Sequence, residues 1–145
     1  MKHLLQGLER YGIGLRTQTE DDFWRICREE DIEVVWSRKR FAFYFTVPEQ
    51  DLRVIVLPSR QTGVQLLFSM FHELGHHLLH GGDEPCVAFR GLSDRKCEAE
   101  ADAVALLAIL PRHELHRIDP EDLLPRSFAK RILAERQRLE FLYDI

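Results

Sequence analysis

The chain has 145 residues, 45% hydrophobic and 30% charged, which fits one globular domain with a core of its own. A formal net charge of -4 at pH 7 argues against nucleic acid as a direct electrostatic partner. No apolar run reaches membrane-spanning length, and the opening MKHLLQGLERYG has neither the apolar core nor the cleavage site of a signal peptide. The three cysteines, Cys27, Cys86 and Cys97, form no CxxC pair and are expected as reduced thiols in a cytoplasm.

In chain order, residues 1–31 read as N-terminal helices. Leu4, Leu5, Leu8 and Tyr11 make a weak amphipathic helix that Gly12 and Gly14 end. Thr19 then opens TEDDFWRICREED, and Asp22, three residues on, completes an approximate capping box; Phe23, Trp24, Ile26 and Cys27 supply the apolar side. Residues 32–58 read as a sheet. Strands are expected at 32–37, 41–47 and 52–57, with Pro48 and Pro58 ending the second and third. Their short connections predict an antiparallel meander. Arg38, Lys39 and Arg40 then fall in a hairpin turn, where solvated charge is the expectation and a nucleic-acid patch is not.

Residues 59–111 carry the chemistry. Val64, Leu67, Phe68, Phe71, Leu74 and Leu78 recur at helical spacing, Ser59 or Thr62 can cap the start, and Gly81-Gly82 stop it. Within this helix His72-Glu73-Leu74-Gly75-His76 is the HExxH arrangement of zinc peptidases. Histidines four apart share one helix face and can hold two corners of a tetrahedral zinc. Glu73 is offset around the helix, so it can address a water at the open corner and serve as general base. Gly75 lowers helix propensity, so its placement predicts a neighbouring element crossing beside the histidines.

A third protein donor is needed, and a second helix follows the loop at 82–92, which could line the cleft or form a lid. Ser93 caps this helix and Pro111 ends it. Glu98, Ala101, Asp102, Ala105 and Ile109 share a face whose small residues allow close approach. Glu98 is the expected third ligand and Glu100 the fallback. A Cys97 thiolate is a remoter alternative, because it points about a quarter-turn away from Glu98. Asp102 is placed to accept a hydrogen bond from a ligating histidine. His77 points away from the His72/His76 edge, and His80 is expected to make a structural hydrogen bond. Tyr44 and His113 are candidate oxyanion donors.

HELGHHLLH at 72–80 followed by EAEADAVALLAILP at 98–111 resembles the ImmA/IrrE-type metallopeptidases. Their pattern is HELGHLLLH, then E-x-E-A-(N/D)-x-F-A, then L-L-M-P, and the resemblance covers roughly residues 20–115. Val104 stands where the family usually has Phe, and Ala108-Ile109-Leu110-Pro111 replaces its tighter ending; both are packing positions. The resemblance implies a zincin-like α+β fold, with a short sheet packed on an HExxH helix and a second ligand-bearing helix. It also implies one catalytic zinc, an intracellular bacterial or prophage origin, and cleavage of a repressor-type protein.

Residues 112–145 complete the single domain as C-terminal helices, with a short one at 112–118, a turn at 120–124 and a closing helix from Ser127 to about Tyr143. Phe128, Ile132, Leu139 and Leu142 form the apolar face of that last helix. The expected function is zinc-dependent hydrolysis of a peptide bond in a specific intracellular protein, a helix-turn-helix transcriptional repressor or similar regulator, with no direct nucleic-acid or membrane partner. A substrate segment is expected to add to a sheet edge, with strand 53–57 as the candidate. The alternative is a non-catalytic protein-binding module on the same fold; the intact Glu73 speaks against it.

Overall fold

A computed structural model describes residues 5–80 and 95–143 of the chain. The expectations for Gly81-Gly82, the 82–92 loop, Cys86 and Ser93 lie outside the described residues. The first part of the chain holds a short 3-10 turn, Gly7–Tyr11, ended by Gly12 in the left-handed region at φ 81°. Leu5 and Leu8 reach the core from here.

Helix α1 (Glu20–Glu29) begins at the expected capping box, and both of its arms are present. The Asp22 N–H donates to Thr19 Oγ1 (3.2 Å), and the Thr19 N–H donates to Asp22 Oδ2 (2.8 Å). Arg16 adds a two-pronged contact to the same carboxylate at 2.9 and 3.1 Å. Phe23, Ile26 and Cys27 are buried, which accounts for the apolar spacing of this helix.

The sheet departs from the expected meander. Strands β1 (Glu33–Ser37), β2 (Phe43–Val47) and β3 (Leu52–Pro58) take the order β1-β3-β2. β3 pairs antiparallel with β2, but parallel with β1, from Glu33 opposite Val54 to Ser37 opposite Pro58. Residues 38–42 therefore form no hairpin; they cross the C-terminal end of β3 to reach the other edge. The physical reason lies in β3, where Val54, Ile55, Val56 and Leu57 are all buried. Such an unbroken apolar run suits a central strand with both faces covered. β3 also has partners on both sides, so it cannot receive a substrate strand, and the 53–57 expectation is corrected: among the described residues β1 and β2 hold the edges.

Helix α2 (Gly63–His80) lies against β2 and β3, and helix α3 (Arg95–Ile109) packs closely along it. A Cβ built on Gly75 would stand 3.0 Å from Val104 Cβ and 3.3 Å from Ala101 Cα. The glycine therefore admits α3, and the small residues of α3 complete the approach. Leu66, Phe68, Met70, Phe71 and Leu74 of α2 meet Val104, Ala105, Leu106 and Ala108 of α3 in one apolar core. After short 3-10 turns at Arg112–Glu114 and Pro120–Asp122, helix α4 (Arg126–Leu142) closes the domain. It buries Ile132 and Leu139 completely, while Phe128 and Leu142 pack at the core margin. Among the described residues no helix is long and apolar enough to cross a membrane.

Candidate metal centre

The α2–α3 crossing brings together His72 and His76 from one helix and Glu98 from the first turn of the other. Glu98 Oε2 lies 3.2 Å from His72 Nε2, and Glu98 Oε1 lies 2.9 Å from His76 Nε2. Donors bound about 2.0–2.1 Å from a tetrahedral zinc stand roughly 3.3 Å apart, so these spacings suit one ion. His76 is fully buried; its Nδ1 has no hydrogen-bond partner among the described residues, and its Nε2 faces Glu98 Oε1 at 2.9 Å without the geometry of a good hydrogen bond. A buried imidazole and carboxylate set this close without a well-formed hydrogen bond leave room for a better partner, and a cation between Nε2 and Glu98 would satisfy both. The residues present therefore fit a metal ion held by two histidines and one glutamate.

The surroundings reinforce this. His72 Nδ1–H donates to Asp102 Oδ1 (2.8 Å), since a carboxylate can only accept. That keeps a proton on Nδ1 and turns Nε2 towards Glu98, so that Nε2 is the nitrogen free to ligate once its own proton is displaced. Asp102 is itself held from the far side by Arg131 Nε of α4 at 3.0 Å. Burial alone would disfavour a charged His72, but Glu73, Asp102 and Glu98 outweigh it and raise its pKa to about 10. The pocket thus favours a positive charge at this point, whether proton or metal, and the two compete. Burial alone would likewise raise Glu98, yet its contacts with His72 and His76 hold it well below the usual carboxylate range.

Glu73 is 4% exposed, and its Oε1 has no hydrogen-bond partner among the described residues. Its Oε2 lies 3.8 Å from His72 Nε2, beside the cluster and outside the donor triad. Burial raises its pKa to about 7, with Glu98 and Asp102 adding to the effect and His72 opposing it. A carboxylate poised near neutrality can both take and return a proton.

Other expected site residues fall elsewhere. Tyr44 is fully buried and its hydroxyl meets His77 Nδ1 at 2.8 Å. His77 Nε2 in turn meets Glu30 Oε1 at 2.9 Å, and Tyr11 donates to the other Glu30 oxygen. Tyr44 and His77 thus tie α2 to β2 and α1, and Tyr44 does not face the cluster as an oxyanion donor. His113 is largely exposed, near Glu114, and lines a separate surface hollow with Leu15 and Ile118. Glu100 pairs with His80 Nε2 at 3.4 Å, away from His72 and His76. His80, Cys97 and Glu100 form a second group of potential donors within 4.8 Å. Cys97, however, is disulfide-bonded, so no thiolate is available there, and the expectation of three reduced thiols is corrected; Cys27 is free and buried.

Arg131 was not among the expected site residues. It lies 33 positions beyond Glu98 on a helix whose polar face is rich in Arg and Glu, and no local pattern separates it from its neighbours. It also stacks over the rings of Phe68 and Phe128, with its guanidinium carbon 5.6 and 5.1 Å from their centroids.

Comparison with known proteins gives no matching curated protein and no matching solved structure. A family model described as the IrrE N-terminal-like domain (Peptidase_M78) does match, over residues 39–131, which take in β2, β3, α2, α3 and the start of α4. That span is more than half of the chain and contains every residue of the donor cluster, and the chain belongs to this metallopeptidase family.

Proposed function

We propose that the protein is a zinc-dependent endopeptidase that hydrolyses a peptide bond in a specific protein, a transcriptional repressor or comparable regulator. The observation that carries the reading is the convergence of His72, His76 and Glu98 with Glu73 unpartnered beside them. A two-histidine, one-glutamate donor set leaves a fourth corner open, the hallmark of catalytic rather than structural zinc. The choice of a regulator as substrate rests on the family resemblance alone. The cytoplasmic location rests on the resemblance and on the cysteine pattern, and the disulfide at Cys97 counts against the second of these.

When bound, zinc supplies Lewis-acid polarisation of the scissile carbonyl and lowers the pKa of water towards about 7. Every other task falls to the chain. His72, His76 and Glu98 would hold the ion, and Asp102 would keep His72 in the ligating tautomer. Glu73 takes the proton of the attacking water and passes it to the departing amine. Among the described residues β2 is an edge strand of the sheet, and its start borders the cleft, where an extended substrate backbone can be aligned.

The test is purified protein with a candidate repressor, with and without chelator, alongside Glu73→Gln. The wild type should cleave only with zinc present. Glu73→Gln should keep its zinc and fold and lose about 10²–10⁴-fold in rate. Undiminished cleavage by Glu73→Gln, or cleavage indifferent to chelation, would overturn the proposal.

A further inference from the structure

The donor cluster opens into a cavity of about 750 Å3 between the 39–43 segment, the first half of α2 and the start of α4. His72, Glu73 and Glu98 form one wall. Beyond Glu73 and Glu98, the charged residues of the lining are Lys39, Arg40 and Arg131, all cationic. They concentrate positive charge at one place on a chain whose formal net charge is -4. Four phenylalanines, Phe41, Phe43, Phe68 and Phe128, stand among them.

The mixed sheet produces this arrangement. A hairpin between β1 and β2 would have placed residues 38–40 at a remote turn, whereas crossing the end of β3 brings Lys39 and Arg40 to the cleft. Both residues are exposed, Lys39 being held through its backbone N–H, which donates to Ser37 Oγ at 3.0 Å, and Phe41 is 75% exposed. On the opposite side Arg131 is pre-oriented. Its Nε is held by Asp102 and its guanidinium carbon sits over Phe68 and Phe128, at the wall of the cavity.

Resting on the peptidase reading, we infer that the cleft selects a protein segment in which acidic side chains alternate with large apolar ones. The cations would meet the carboxylates and the phenylalanines the apolar groups, a charge complementarity that also speeds encounter. A single-stranded nucleic acid would also suit cations and aromatic rings. It fits less well here, because its continuous phosphates would run against Glu73 and Glu98.

The test uses the full zinc-loaded chain carrying Glu73→Gln, so that binding is read without turnover. The probes are a fluorescent peptide alternating Glu with Phe and Leu, the same peptide with Lys for Glu, and an oligothymidylate. The acidic peptide should bind at least about tenfold more tightly than the basic one at low salt. The double charge reversal Lys39→Glu, Arg40→Glu, checked for unchanged zinc content, should invert that order. Equal binding of the two peptides, an order unmoved by the reversal, or preference for the oligothymidylate would overturn the inference. Failure of the peptidase reading would show instead as charge-selective binding by a wild-type chain that cleaves nothing.

Discussion

Two carboxylates illustrate how environment assigns roles at the residue scale. Asp102 touches no open corner, yet it orients His72 and is held by Arg131. Asp102→Asn should therefore weaken zinc binding by about 10–100-fold, measured by competition with a chromogenic chelator, without removing any donor. An unchanged affinity would reduce Asp102 to a packing role. Asp22 works on the fold instead. Hydrogen bonds from the Arg16 guanidinium and the Thr19 N–H outweigh burial and hold its pKa at about 2, against an ordinary 3.8. Because the folded value is the lower one, its contribution is present above about pH 4 and is lost as pH falls towards 2. Asp22→Asn should be about 1–3 kcal/mol less stable at neutral pH and show a flatter decline below pH 4 in denaturant titrations.

Elements were legible to different depths, and the reason is the range of the interactions involved. The α2 helix, its histidine pair and the capping box of α1 are set by residues within a few positions of one another, so spacing suffices to read them. Gly75 was also readable, because a glycine inside a helix needs a reason and the close approach of α3 supplies one. Gly75→Ala tests this. Helix propensity would gain roughly 0.5–1 kcal/mol, but the new methyl meets Val104 and the α3 backbone at Ala101. Overpacking of about 1–3 kcal/mol should win, so thermal unfolding should occur at a lower temperature. A rise would show that the helices separate freely. Strand order was misread because pairing is non-local, and short connections favoured a meander. The unbroken burial of β3, visible in LRVIVLP as an apolar run, was the available sign of a central strand. Tyr44 looked like any aromatic of FAFYFTV, and only the packing of α2 on β2 reveals that His77 occupies its hydroxyl.

Across the whole molecule, the donor cluster ties separate segments together. His72 and His76 come from α2, Glu98 and Asp102 from α3, and Arg131 from α4. Zinc that binds only this assembled arrangement must stabilise the fold by mass action, about 2.7 kcal/mol at a concentration 100 times Kd. For a domain of this size that corresponds to a rise in Tm of roughly 5–10 °C, which calorimetry with and without chelator would register. Arg131 also explains why the sequence could show the chemistry more readily than the cleft: it joins the site only when α4 packs back onto α3.

The central claim is that Glu98 completes the metal site, and metal content tests it most directly. Wild-type protein and Glu100→Gln should each carry one zinc per chain, since Glu100 pairs with His80 and stands apart from the His72/His76 pair. Glu98→Ala, confirmed as folded by circular dichroism, should emerge from purification and zinc titration without tightly held metal. Stoichiometric, chelator-resistant zinc in Glu98→Ala would contradict the account.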